Sequence, residues 1–221
     1  MTTITQNWWL LFIVCFTVML GLTLWLAAIA RNFYTNKDGL RSFSIFDLEF
    51  AATESMLDKI FAFSTEDSRK QLRRHLLVDF LFMPFVYGGI ALLCYKTALK
   101  MEYYGYYLFM GLAALQLLPF VFDVLENSYL MGKLTLQKGE IARADSSAFK
   151  QYQFFVKAKF TIALTGTICS VFGLFYFWLV GTYAADSLIY LAIIVAEIMA
   201  FLAISRRKKP AATLQPDLQV S

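Results

Sequence analysis

The feature that most constrains this chain is a run from Trp8 to Ala30 that contains no Asp, Glu, Lys or Arg. At about 1.5 Å of rise per residue, a helix of that length crosses a hydrocarbon core of about 30 Å. Backbone polar groups in lipid find no water, so a helix that satisfies them internally is the form such a run takes. Four later stretches read the same way: Leu76 to Leu99, Tyr106 to Met131, Val156 to Val180 and Leu188 to Ile204, the last being the shortest. Composition supports this, because 59% of residues are hydrophobic and 16% charged, whereas soluble domains carry about 25% charged residues. The expected fold is an all-α integral membrane protein with five transmembrane helices. Residues 1–205 are expected to form a single domain, and Arg206 to Ser221 a disordered basic tail. Met1 to Asn7 holds no Lys or Arg and no cleavage site follows the first run, so that run is expected to be a retained anchor.

Basic residues set the expected orientation. Eight Lys or Arg lie between Arg31 and His75, six between Lys133 and Lys159, and four in Arg206 to Lys209, against only Lys96 and Lys100 on the other side. The positive-inside rule then places the N-terminus outside and the C-terminus in the cytoplasm, which requires an odd number of spans. Trp8, Trp9, Tyr103, Tyr104, Tyr106, Tyr107, Trp178 and Tyr183 all fall at the expected outer interface. The short connectors around Lys100 to Gly105 and Gly181 to Ser187 predict antiparallel neighbours. The basic residues flank spans and form no separate domain, so a nucleic-acid partner is not expected; the partner is the bilayer.

The first cytoplasmic segment is not loop-like. Ser44 followed by Asp47 matches a helix N-cap with an acidic third position, and Phe46, Phe50, Thr53, Leu57, Ile60 and Phe61 recur near helical spacing. This predicts an amphipathic helix over 44–63 lying against the inner leaflet or the inner ends of the bundle. A short helix over 66–75 is expected to run into the second span.

Ionisable groups within the spans are the candidate chemistry, since each costs at least ~2.5 to 3.5 kcal/mol to insert without a partner. Asp79, Asp123 and Glu126 all fall in the inner half of the hairpin made by spans two and three. On span three, Gln116, Asp123, Glu126 and Asn127 make one polar stripe by their spacing. On span two, Asp79, Phe82, Val86 and Tyr87 share a face, so Tyr87 is expected to supply a hydroxyl to the same seam. Pro84 and Pro119 each free a carbonyl and predict kinks beside the acids. A purely structural reading competes: Arg73 or Arg74 neutralises Asp79, and Asp123 and Glu126 pair with a basic group or with neighbouring helices. Glu197, near the middle of the last span, is a secondary candidate, with span four as its expected partner. Thr161, Thr165, Gly166, Thr167, Ser170 and Gly173 there suit close helix packing or a homo-oligomer contact.

These residues also carry a resemblance. The stretch Asp47, Leu48, Glu49, Phe50, Ala51, the pattern D-x-x-F-x-P-x-x-Y at Asp79, Phe82, Pro84 and Tyr87, and D-x-x-E-N at Asp123, Glu126 and Asn127 resemble a group of small uncharacterised bacterial polytopic membrane proteins. The resemblance covers Ile45 to Asn127. It implies a multi-pass protein of the bacterial inner (plasma) membrane and no particular activity.

A single histidine, His75, disfavours bis-histidine haem ligation and multi-histidine metal sites. Cys15, Cys94 and Cys169 sit in apolar runs without metal-ligand spacing, no buried mid-span lysine suggests a retinal Schiff base, and no cofactor is assigned. Three functions remain. A non-enzymatic subunit of a membrane complex, or a binder of a lipid or other apolar ligand, asks least of the sequence. Proton or cation handling through the carboxylates is the second. An intramembrane enzyme modifying lipids with paired carboxylates is the third.

Overall fold

The computed structural model describes residues 7–36, 40–135, 145–182 and 187–206. In order, these form α1 (Trp8–Ala30), a short antiparallel pair β1 (Tyr34–Asn36) and β2 (Leu40–Ser42), α2 (Ile45–Glu49), α3 (Glu54–Phe63), α4 (Glu66–Ala98), α5 (Tyr103–Leu115), α6 (Leu117–Leu134), α7 (Ser147–Leu179) and α8 (Ser187–Arg206). Four helical stretches are long and apolar enough to cross a membrane: α1, α4, α5 with α6, and α7. The apolar part of α8, Leu191–Ile204, is shorter. This is a helical membrane protein. The hairpin of β1 and β2 was not legible in the sequence, and Tyr183 and residues 207–221 lie outside the described residues.

Helix α4 packs against α1, α5, α6 and α7, so it is the centre of the bundle. At one end, the rings of Trp9 and Trp178 stack at 5.4 Å, the Lys96 ammonium lies 5.3 Å from the Trp8 ring, and the Trp8 indole N–H donates to the Leu92 carbonyl at 2.9 Å. The start of α1 therefore meets the ends of α4 and α7, which fixes their antiparallel sense. Between the ends, side chains such as Leu10, Trp25, Leu81, Leu117, Leu164 and Phe172 are exposed. An apolar surface of that extent needs lipid for its solvent.

The densest core lies at the opposite end. Phe33, Leu48, Leu57, Leu72, Leu130, Phe149 and Tyr152 pack there as one cluster, each at most 1% exposed. Here α2 and α3 replace the single amphipathic helix expected over 44–63. Ser44 caps α2 in a capping box with Asp47, as its spacing predicts. The helix then stops at Phe50, and Thr53 starts α3 by accepting from the Met56 N–H. Helix α7 stabilises the break: the Tyr152 hydroxyl donates to the Leu48 carbonyl at 2.9 Å, and the Gln153 amide to the Ala51 carbonyl at 2.9 Å. Backbone carbonyls freed by ending a helix are thus satisfied from another element.

The third span is also interrupted, between α5 and α6 at Gln116. Pro119 has no N–H and cannot bond the Leu115 carbonyl. Starting a new helix at Leu117 places Pro119 in a first turn, whose donors are unpaired in any helix. Pro84, in contrast, lies inside an unbroken α4.

A charged knot ties α3 to the bundle. The Lys133 ammonium of α6 lies 2.6 Å from Glu54 and 2.8 Å from Asp58, while the backbone N–H of Ser146 donates to Glu54 at 2.6 Å. Burial favours the neutral form of Glu54, but the bonds from Lys133 and Ser146 outweigh it and hold its carboxyl down at about 2. A carboxyl lowered in the folded state stabilises the fold above its unfolded pKa, about 4.3 for Glu, and loses that contribution as pH falls towards the folded value. Glu54→Gln is therefore expected to lower the thermal midpoint of the detergent-solubilised protein at pH 7, with the gap to wild type narrowing between about pH 4.3 and pH 2. Circular dichroism melts across that range check it; a constant gap would contradict the assignment.

Candidate functional site

The site is built around a residue that the sequence reading placed among the cytoplasmic basic residues. Lys159 lies more than three turns into α7, and Tyr152, Val156, Lys159, Gly166, Ser170 and Gly173 form its buried face at separations of four, three, seven, four and three. That register turns Lys159 inward, while Lys157 is exposed. Counting Lys159 with the flanking basic residues did not reveal that it is buried.

The Lys159 ammonium lies 2.6 Å from Glu126 Oε2, 2.7 Å from Asp123 Oδ1 and 3.2 Å from Glu49 Oε1. Asp123 and Glu126 are three residues apart on α6 and present both carboxylates to α7. Glu49 comes from the last residue of α2, so the break after α2 positions it. Tyr87 of α4 donates to Asp123 Oδ2 at 2.8 Å rather than to Asp79. Asp79 receives a 2.8 Å hydrogen bond from the Asn127 amide, and Arg73 and Arg74, its expected neutralising partners, are exposed. Three of the six expected site residues, Tyr87, Asp123 and Glu126, are thus joined through Lys159, and two more, Asp79 and Asn127, form a bonded pair that lines one cavity with Tyr87, Asp123 and Lys159.

Gln116 is not part of it. Its amide donates to the Leu112 carbonyl at 3.3 Å, beneath Gly166 of α7. A Cβ on Gly166 would lie 2.5 Å from that amide nitrogen, and one on Gly173 2.5 Å from the Thr97 methyl. These glycines let α7 approach its neighbours inside the chain, so Gly166, Ser170 and Gly173 are buried, while Thr161 and Thr165 are exposed. Glu197 is also separate, and its partner is not span four: Thr17 of α1 donates to Glu197 Oε1 at 2.7 Å.

Charge is unbalanced in this network. Four carboxylates, Glu49, Asp79, Asp123 and Glu126, share one ammonium. Burying charges without partners is costly, so the surplus must be met by protons, water or a cation. Burial already pushes the Glu49 carboxyl above its ordinary value, an effect that Lys159 only partly offsets. Among the described residues, no three His, Cys, Asp or Glu side chains are arranged to hold a metal ion; the Lys159 ammonium occupies the centre of the cluster.

The network opens onto a cavity of about 650 Å³ between α1, α2, α4, α6 and α7. Glu49, His75, Asp79, Tyr87, Asp123, Asn127 and Lys159 form its polar wall, Arg31 and Ser44 line it from the α1 and α2 side, and Leu26, Ala27, Phe82, Val86, Phe160 and Ala163 are among its apolar residues. His75, expected at the basic edge of span two, is buried, edge-on to Phe33 at 5.5 Å.

Comparison of the chain with protein-family models, with curated proteins and with solved structures found no match to any of them. The function is therefore argued from the site.

Removing one partner from a buried ion cluster strands the others, at a cost of about 3–5 kcal/mol. Lys159→Met is expected to lower the unfolding midpoint strongly, and addition of Asp123→Asn with Glu126→Gln to restore much of the loss. Melts of the single and triple variants check this. Equal destabilisation in both would mean that Lys159 acts by packing and not by charge.

Proposed function

We propose that this chain is a non-enzymatic membrane protein that holds a lipid or other apolar ligand in the cavity beside Lys159, with the carboxylate network organising its core, either alone or as a subunit of a larger membrane assembly. The observation that carries this reading is the cavity itself. Its volume of about 650 Å³ falls in the range of about 300–1,000 Å³ typical of ligand sites, and like them it combines apolar walls with a few polar groups at one place.

In the fuller topology we propose, α8 is the fifth span, the N-terminus is outside and the C-terminus cytoplasmic, in a bacterial inner membrane. The division of Lys and Arg supports it, and so do Phe46 of α2 and Phe50 just after it, which are exposed beside the polar end as an interfacial segment requires. Proton or cation handling is the second reading, supported by the surplus of carboxylates over ammonium. It has less in its favour, because Asp123 and Glu126 are both already held by Lys159. The same pairing weighs against a lipid-modifying enzyme, which needs a carboxylate pair free to exchange protons with a substrate.

Ala27 is exposed and lines the cavity from α1, so Ala27→Trp fills the space without displacing packed side chains. Mass spectrometry of the protein purified in mild detergent is expected to find a bound lipid at near-stoichiometric level in wild type and little in Ala27→Trp. An identical lipid complement in the two proteins would refute the cavity as a binding site.

A further inference from the structure

A second cavity, of about 460 Å³, continues from the first along the bundle. It is lined by α1, α4, α7 and α8, including Phe12, Phe16, Phe85, Val86, Leu174 and Ile198, and among the described residues no charged side chain contributes to it. Val86 of α4 lines both cavities. His75, Asp79, Phe82 and Val86, spaced four, three and four residues apart on α4, face this path in that order. The path thus runs from a charged end beside the densest core to an apolar end between aromatic side chains. That is the shape of an amphiphile lying along the bundle.

The acceptors at the charged end indicate the headgroup. Asp79 is bonded to the neutral Asn127 amide, and no Lys or Arg pairs with it among the described residues. Glu49 Oε2 is buried and receives no hydrogen bond. His75 is only 5% exposed, its Nδ1 has no hydrogen-bond partner, and it lines the same cavity. An ammonium group donates up to three hydrogen bonds and accepts none, so it complements a wall of unmet acceptors and carboxylates. Three carboxylates, Glu49, Asp79 and Asp123, line the cavity against the two cations Lys159 and Arg31, so a carboxylate or phosphate there would add negative charge where negative charge is already in surplus.

We propose that the ligand is an amphiphile with an ammonium headgroup, its nitrogen held at Asp79 with Glu49 and His75, and its chain running past Val86 into the second cavity. This rests on the reading of the first cavity as a lipid site and adds the chemical class of the ligand. The surplus of carboxylates then neutralises the ligand, and Lys159 keeps Asp123 and Glu126 in place behind it.

The test uses the full chain in detergent, incubated with an equimolar mixture of hexadecylamine, hexadecanol and hexadecanoic acid, with bound species counted by native mass spectrometry. A hydrogen bond to a charged group is worth about 1.5–3 kcal/mol, so the amine adduct is expected to exceed the alcohol adduct by at least about ten-fold. Asp79→Asn, which preserves the shape of the side chain, is expected to bring the ratio of amine to alcohol adduct close to one. Equal binding of amine and alcohol to wild type would overturn the headgroup assignment and leave lipid binding intact. An amine preference that survives Asp79→Asn would also overturn it, and so would displacement of hexadecylamine by excess butylamine, which would make the ligand a soluble amine. Absence of all three adducts would defeat both this assignment and the lipid site on which it rests.

Discussion

The structure depends on one ammonium group in a place where charge is expensive. Lys159 gathers carboxylates from α6 and α2 within 3.2 Å, and in doing so it joins the membrane-crossing bundle to the elements packed against its end. An isolated ion in that setting carries a desolvation cost of several kcal/mol, recovered only when geometry and hydrogen bonding are both favourable. The recovery here comes from several chain segments at once. Tyr87 orients Asp123, and beside this set Asn127 holds Asp79.

This cluster also explains where the core lies. Lipid-facing helices gain little from contact with one another, because lipid tails are as apolar as leucine. The bundle between the helix ends is accordingly held by close approach at Gly166 and Gly173 and by the Thr97 hydroxyl, which donates to the Ser170 carbonyl. At the polar end water is available, burial of apolar surface is favourable again, and Phe33, Leu48, Leu57 and Phe149 form a dense cluster. The Lys159 network sits between these two regimes, and the cavity opens at the same level. A site there reaches both lipid and polar groups.

Much of the fold was readable without coordinates. Helix length and hydropathy identified the apolar segments, because the thickness of a bilayer and the rise of a helix leave little choice. The polar stripe on α6 was legible for the same reason, since a fixed spacing puts Asp123, Glu126 and Asn127 on one face. Lys159 was missed although its signal was present: it shares the seven-residue register of Tyr152, Val156, Gly166 and Ser170, whereas counting it as a flanking charge used only its distance from the end of the span. Glu49 carried no comparable signal. Its role depends on α2 ending where it does, and that ending is stabilised by Tyr152 and Gln153, about a hundred residues further along the chain.

Local physics, acting through the sequence alone, determined that this protein is a bundle of apolar helices with Asp79, Asp123 and Glu126 in the same half of one hairpin. The cost of exposing backbone and charge to lipid acts on each segment separately, so it needs no knowledge of neighbours. Tertiary structure decided the pairings: that Asp123 binds Lys159 and Tyr87, that Asp79 is left with an amide, that Glu197 turns to Thr17, and that Gln116 packs under a glycine. Those choices turn on distances of a few ångströms between segments far apart in the chain, and residue spacing within a single helix carries no information about them.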